Sequence, residues 1–239
     1  MFLIDTYKQG ELLFGGGGIV AVAALLLAIC TAIVLHEVSH GYAALINGDD
    51  TAKMLGRLSL NPIKHFNWLG FFMMLLVGFG YANPVPVNPV KFKNFQRGSI
   101  QVSISGILTN LVLAFIFTLF LGLLNLLNVA LEGVWLYVVS FLALYFVFSQ
   151  IININFALFN ILPLYPLDGY RLLNCFIPDE NKFMTFLRRY SFIILIGLII
   201  IGNNSYLSQY SPLDLYISYG RLGISGAFEW FWSLLGLRF

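Results

Sequence analysis

A chain of 239 residues that is 59% hydrophobic and 10% charged lacks the polar surface that a water-soluble domain of this size must present, and its mean hydropathy is positive. Its 13 Lys and Arg against 11 Asp and Glu leave a net charge of +2, which gives no sign of a nucleic-acid partner, and two distant cysteines, Cys30 and Cys175, argue against a disulfide framework or a cysteine metal cluster. The composition places the chain in a bilayer.

The N-terminus carries Asp5 and Glu11 and no basic stretch before a short apolar core, so no removable signal peptide is expected. Four consecutive glycines at 15–18 predict a break before the first apolar run. A membrane helix needs about 20 apolar residues to cross ~30 Å of hydrocarbon. Residues 19–46, 100–130, 134–162 and 183–201 meet that requirement, whereas 69–81 is short enough to read as a re-entrant or tilted element and 222–237 is weakened by Gly223, Gly226 and Glu229. After the first span, alternation of Met54, Gly56, Leu58 and Leu60 predicts a short hairpin over 51–60. Prolines at 84, 86 and 89 exclude a helix and suit an extended edge or loop. Such backbone between apolar segments implies a protein-covered or wet cavity, and the proline-rich break at 160–169 implies the same. The fold class expected is an all-α polytopic membrane protein. A single domain spans 1–239, with a core of three helices over about 19–180 and one to three further helices over about 183–237.

Basic residues gather at Lys53, Arg57 and Lys64, at Lys91, Lys93 and Arg97, and at Arg171, Lys182, Arg188 and Arg189. The positive-inside rule puts these loops in the cytoplasm and the N-terminus and Glu132 outside.

The chemistry gathers in Val34-Leu35-His36-Glu37-Val38-Ser39-His40. Histidines at i and i+4 share one helix face and can reach one ion, with Glu37 beside its bound water. Each ionisable group at bilayer depth costs about 2.5 to 3.5 kcal/mol on insertion scales, so three within five residues call for a common partner, and a divalent cation supplies one. Catalytic zinc takes three protein ligands and leaves a fourth position to water. His65 lies in a basic loop, where solvation or a local hydrogen bond is expected. Asp168 is the candidate third ligand, although an Asp before Gly is also a common turn residue.

Taken together, His36 to His40, the stretch 48–65, Pro84-Val85-Pro86-Val87-Asn88-Pro89 and the stretch 160–169 resemble the site-2 protease family of intramembrane zinc metalloproteases, in a compact form without a PDZ domain. The resemblance covers roughly the first 180 residues. It implies one zinc per chain held by His36, His40 and Asp168, with Glu37 as base. The family's Gly-Pro-x-x-Asn pattern survives here as Gly106-Ile107-Leu108-Thr109-Asn110, without the proline, and makes Asn110 a candidate substrate or oxyanion donor. Asn67 stands where relatives carry an aspartate. Asn160 and the segment Pro84 to Pro89 are further candidate substrate-binding positions, the latter by strand addition. The function expected is hydrolysis of peptide bonds in or near transmembrane segments, close to the cytoplasmic face of a bacterial inner membrane. Partners would be membrane lipid and single-span membrane proteins, such as anti-sigma factors or membrane-tethered transcription regulators. The alternatives are a polytopic metal transporter and a metal-binding scaffold without proteolytic activity.

Overall fold

A computed structural model describes residues 16–70, 82–126, 134–203 and 210–239. The helices run in chain order as α1 (Gly16–Ile46), α2 (Thr51–Met54), α3 (Phe95–Asn125), α4 (Val134–Asn160), α5 (Asp168–Asn174), α6 (Lys182–Asn203) and α7 (Pro212–Ser233), with single 3-10 turns at Pro62–Lys64 and Pro89–Lys91. No strand occurs among the described residues. Four helices are long and apolar enough to cross a membrane: Gly18–Ile46, Phe95–Asn125, Val134–Asn160 and Lys182–Gly202. They coincide with the four expected spans. The doubtful 222–237 stretch belongs to α7, a 22-residue helix that carries Asp214, Arg221 and Glu229 and is not among those four. Most of the expected element at 69–81, and the turn around Glu132, lie outside the described residues.

Two local expectations change. The first helix starts at Gly16, within the glycine run rather than after it; the first turn of a helix has no intrahelical acceptors for its N–H groups in any case, so glycine costs little there. In place of a hairpin, residues 51–54 form one helical turn and Gly56 turns the chain at φ +63. Burial of Asp49, whose carboxylate takes the N–H and hydroxyl of Thr51, sets that turn locally and overrides the alternation.

The C-terminus of α1 follows directly from Asn47-Gly48. Gly48, at φ +106, donates to Leu45 O and Asp49 donates to Ala44 O, the paired bonds of a Schellman motif in which glycine takes the left-handed position. Along α1, Ala24, Ala28, Ala32, His36, His40 and Ala44 are all buried and follow one another at i+4, a single ridge of the helix surface. Along α3, which Asn94 caps through Arg97 N–H, Val102, Gly106, Asn110, Ala114 and Thr118 form a similar buried row.

The chain divides into two compact units. One comprises 1–32, 111–154 and 222–239. Inside it Ala21, Ala24 and Leu144 form a core with Phe141, Tyr145 and Phe148, and Trp232 donates its indole N–H to Phe115 O. The other comprises 33–110 and 155–221 and contains every residue of the site described next. Its interior is built around Ala44, Phe92 and Val102 and around Tyr170, Met184 and Leu187.

Candidate metal centre

Three side chains converge inside the second unit. His36 and His40 come from the last third of α1 and Asp168 from the first turn of α5, and all three are at most 5% exposed. His36 Nε2 and His40 Nε2 lie 3.1 Å apart, and Asp168 Oδ2 is 3.2 Å from each of them. The far side of each ring is already engaged. His36 Nδ1 meets Asn110 Oδ1 at 2.6 Å, and His40 Nδ1 meets Val102 O at 2.8 Å. Both partners are acceptors, so each Nδ1 carries the proton and each Nε2 presents a bare lone pair inward.

The chemistry of this donor set fits a cation. Two bare nitrogens and a carboxylate oxygen share one space, and Asp168 Oδ2 is buried with no hydrogen-bond donor. Lone pairs that face one another at this depth are favourable only around positive charge. Ligand atoms about 2.1 Å from a zinc at tetrahedral angles stand roughly 3.4 Å apart, close to the spacings found. Among the described residues, His36, His40 and Asp168 form a group that could hold a metal ion.

Backbone geometry explains why these side chains meet. A Cβ at Gly169 would collide with the Ile161 carbonyl, so only glycine lets the start of α5 fold back against the end of α4 and deliver Asp168. A Cβ at Gly106 would lie 2.5 Å from His36 Cε1, so α3 passes directly against the ring. Phe156 closes another side of His36, with ring centroids 4.9 Å apart. Ser105 Oγ donates to the same Val102 carbonyl that receives His40 and lies 3.2 Å from His40 Nδ1.

Glu37 is half-buried, and its Oε2 accepts the backbone N–H of Val85 at 2.9 Å. The segment Pro84 to Pro89 is thereby brought to α1. Val85 is buried where a Cβ at Gly41 would strike it. Val87 packs on the Ala44 cluster, Pro86 is half-buried, and the Asn88 side chain caps the turn that begins at Pro89. Asn160 is buried and donates to Phe156 O in its own helix. His65 is 1% exposed, bonded through Nε2 to Ser59 O, and stands in the loop structure rather than among the ligands. Ser105, Gly106 and the Val102 carbonyl join the site without having stood out in the sequence as its members. Gly106 alone left a signal there, through its place four residues before Asn110.

The sequence comparisons agree with this geometry. The model of the family described as Peptidase family M50 matches residues 24–201, well over half of the chain. The protein named "Putative zinc metalloprotease YwhC" of Bacillus subtilis (strain 168) is 38% identical over 184 residues, covering 77% of this chain and 83% of that one. "Putative zinc metalloprotease Rip2" of Mycolicibacterium smegmatis (strain ATCC 700084 / mc(2)155) is 27% identical over 202 residues, covering 82% of this chain and 71% of that protein. No solved structure matches. A buried His-His-Asp centre, four helices of spanning length and these relatives agree: the chain belongs to peptidase family M50, the site-2 protease family of membrane zinc metalloproteases.

Proposed function

We propose that the chain is one membrane-embedded catalytic domain that hydrolyses peptide bonds in or near transmembrane segments of single-span membrane proteins, close to the cytoplasmic face of a bacterial inner membrane. The observation that carries this reading is the convergence of His36, His40 and Asp168 at 3.1–3.2 Å inside the bilayer-spanning part of α1, with Glu37 one residue from a ligand. Zinc held there would supply a Lewis acid and would lower the pKa of a bound water to about 7. Glu37 takes the proton of the attacking water and passes it to the leaving amine. The N–H of Val85 holds one carboxylate oxygen, which orients the other for that transfer. Asn110 acts through the His36 ring, fixing its tautomer and angle.

Three features support substrate entry at this site. An open groove of about 530 Å³ runs along α1, lined by Leu35, Val38, Tyr42 and Ile46 together with Leu58 and Leu60, which suits an apolar segment. Pro84 to Pro89 offers an extended edge beside Glu37 for an unwound stretch of substrate. The motif occupies the last third of α1, next to the basic loop that carries Lys53 and Arg57, which favours a cut near the cytoplasm. Membrane-anchored regulators such as anti-sigma factors or tethered transcription factors have the required single span.

The test measures zinc content and cleavage of a single-span substrate in reconstituted membranes. Wild type should hold about one zinc and cut. Glu37→Gln should keep the metal and be inert, and Asp168→Ala should lose the metal. Cleavage by Glu37→Gln, or full zinc occupancy in Asp168→Ala, would sink the assignment.

A further inference from the structure

The backbone from Asn83 to Asn88 carries no regular secondary structure and ends on the extended Asn88, yet its hydrogen-bond donors are nearly all taken. Pro84, Pro86 and Pro89 have no N–H. Asn83 donates to His65 O at 2.8 Å, Val85 to Glu37 at 2.9 Å and Asn88 to Asp49 Oδ2 at 2.6 Å. Among the described residues, Val87 N–H alone on this stretch has no acceptor. The start of the segment is fixed as firmly: the Asn83 side chain donates to Phe66 O and accepts from Asn67, and Arg57 donates to the carbonyls of Asn83 and Pro84.

Asp49 is the unexpected member of this set. It is fully buried, and a buried carboxylate is costly unless each oxygen has a donor. Thr51 satisfies one oxygen locally. The other reaches a backbone N–H 39 residues further along the chain, a charge-assisted bond shorter and stronger than a neutral acceptor would make. The Schellman turn at the end of α1 aims Asp49 there, so the helix that carries the zinc ligands also sets the position of the segment.

We propose that Asp49 is a positioning residue for proteolysis. By holding Asn88 N–H while Glu37 holds Val85 N–H, it fixes the register of the extended edge and leaves Val87 as the residue whose N–H receives the substrate backbone. A single open donor between two tethers gives the substrate one register, and hence one scissile bond, at the metal. This inference rests on the proteolytic reading above and adds to it a determinant of where the cut falls.

The experiment compares wild type, Asp49→Asn, Asp49→Glu, Thr51→Val and Val87→Pro in reconstituted membranes, reading zinc content, KM, kcat and the cleaved bond by mass spectrometry. Asp49→Asn should keep its zinc and a kcat within about threefold of wild type. Its KM should rise about tenfold or more, the worth of one charge-assisted bond, with cuts scattered over neighbouring bonds. Asp49→Glu should recover part of the affinity. Val87→Pro should repeat the Asp49→Asn pattern, while Thr51→Val, which removes only a local partner, leaves KM and the cut site in place. An unchanged KM and single cut in Asp49→Asn or Val87→Pro overturns the inference, as does an equal fall in zinc and kcat in Asp49→Asn and Thr51→Val. If wild type cuts a soluble unfolded polypeptide but no single-span substrate, it is the proteolytic reading beneath it that fails.

Discussion

His36 is gripped on three sides, by Asn110 at Nδ1, by the bare backbone of Gly106 and by the Phe156 ring. Partners of this kind raise the basicity of a ligating imidazole and hold its angle, and their removal usually costs 10- to 100-fold in metal affinity. Asn110→Ala is therefore expected to weaken zinc binding by about 10- to 100-fold without abolishing it, as read by competition with a zinc chelator of known affinity. Unchanged affinity would return Asn110 to a direct role on substrate. The ligand helix was legible because histidines at i and i+4 with a glutamate between them, set in an apolar run, demand a shared cation to offset their burial. The oxygen that orients His36 was not. Asparagine within an apolar helix reads equally well as a substrate donor, an interhelical bond or a ring partner, and only packing 74 residues away in sequence chooses among them.

Among the elements, the loop after α1 departs furthest from its sequence pattern. Alternating Met54, Gly56, Leu58 and Leu60 satisfies a strand period, but the pattern takes no account of Asp49, whose buried carboxylate closes a helical turn at Thr51 and ties it to Asn88. Burial works against the Asp49 charge, and the bonds from Thr51 and Asn88, with Lys91 nearby, overcome it and leave the carboxyl below its usual value of 3.8. A folded-state pKa lowered in this way means the unfolded chain binds the proton more readily. The stabilisation is thus complete above 3.8 and is lost as pH falls through the lower folded value. Thermal unfolding of zinc-stripped wild type and Asp49→Asn should differ most at about pH 6, and the gap should close below about pH 4. A gap that stays constant through that range would mean the charge of Asp49 is not what the loop relies on. The spans themselves were legible at nearly their observed limits, since hydrocarbon thickness sets their length. The exception is α7, where three charges and three glycines within an aromatic helix leave periodicity and hydropathy in conflict.

At the scale of the molecule, the three candidate ligands bring together parts of the chain that are far apart in sequence but belong to one compact unit, that of 33–110 and 155–221. Nothing in the local helical preference of residues 168–174 holds that short helix in place: seven residues are too few to be stable alone, and α5 depends on Gly169 at Ile161 and on the Tyr170 cluster. A ligand that binds only the folded form stabilises it by RT ln(1 + [L]/Kd), about 4 kcal/mol at a thousandfold excess over Kd. Without the cation, the same three groups leave two bare nitrogens facing a buried carboxylate, which drives them apart or draws in a proton. Zinc removal should therefore loosen the second unit selectively. Hydrogen–deuterium exchange of the stripped protein in detergent should rise in 168–174 and in the His36 to Ile46 end of α1, with the Ala21, Ala24 and Leu144 core unchanged, and should return on adding zinc. A uniform rise across both units would mean that the metal holds the whole fold together. No rise at all would mean that α4 and α6 already fix α5, leaving the zinc a purely chemical role.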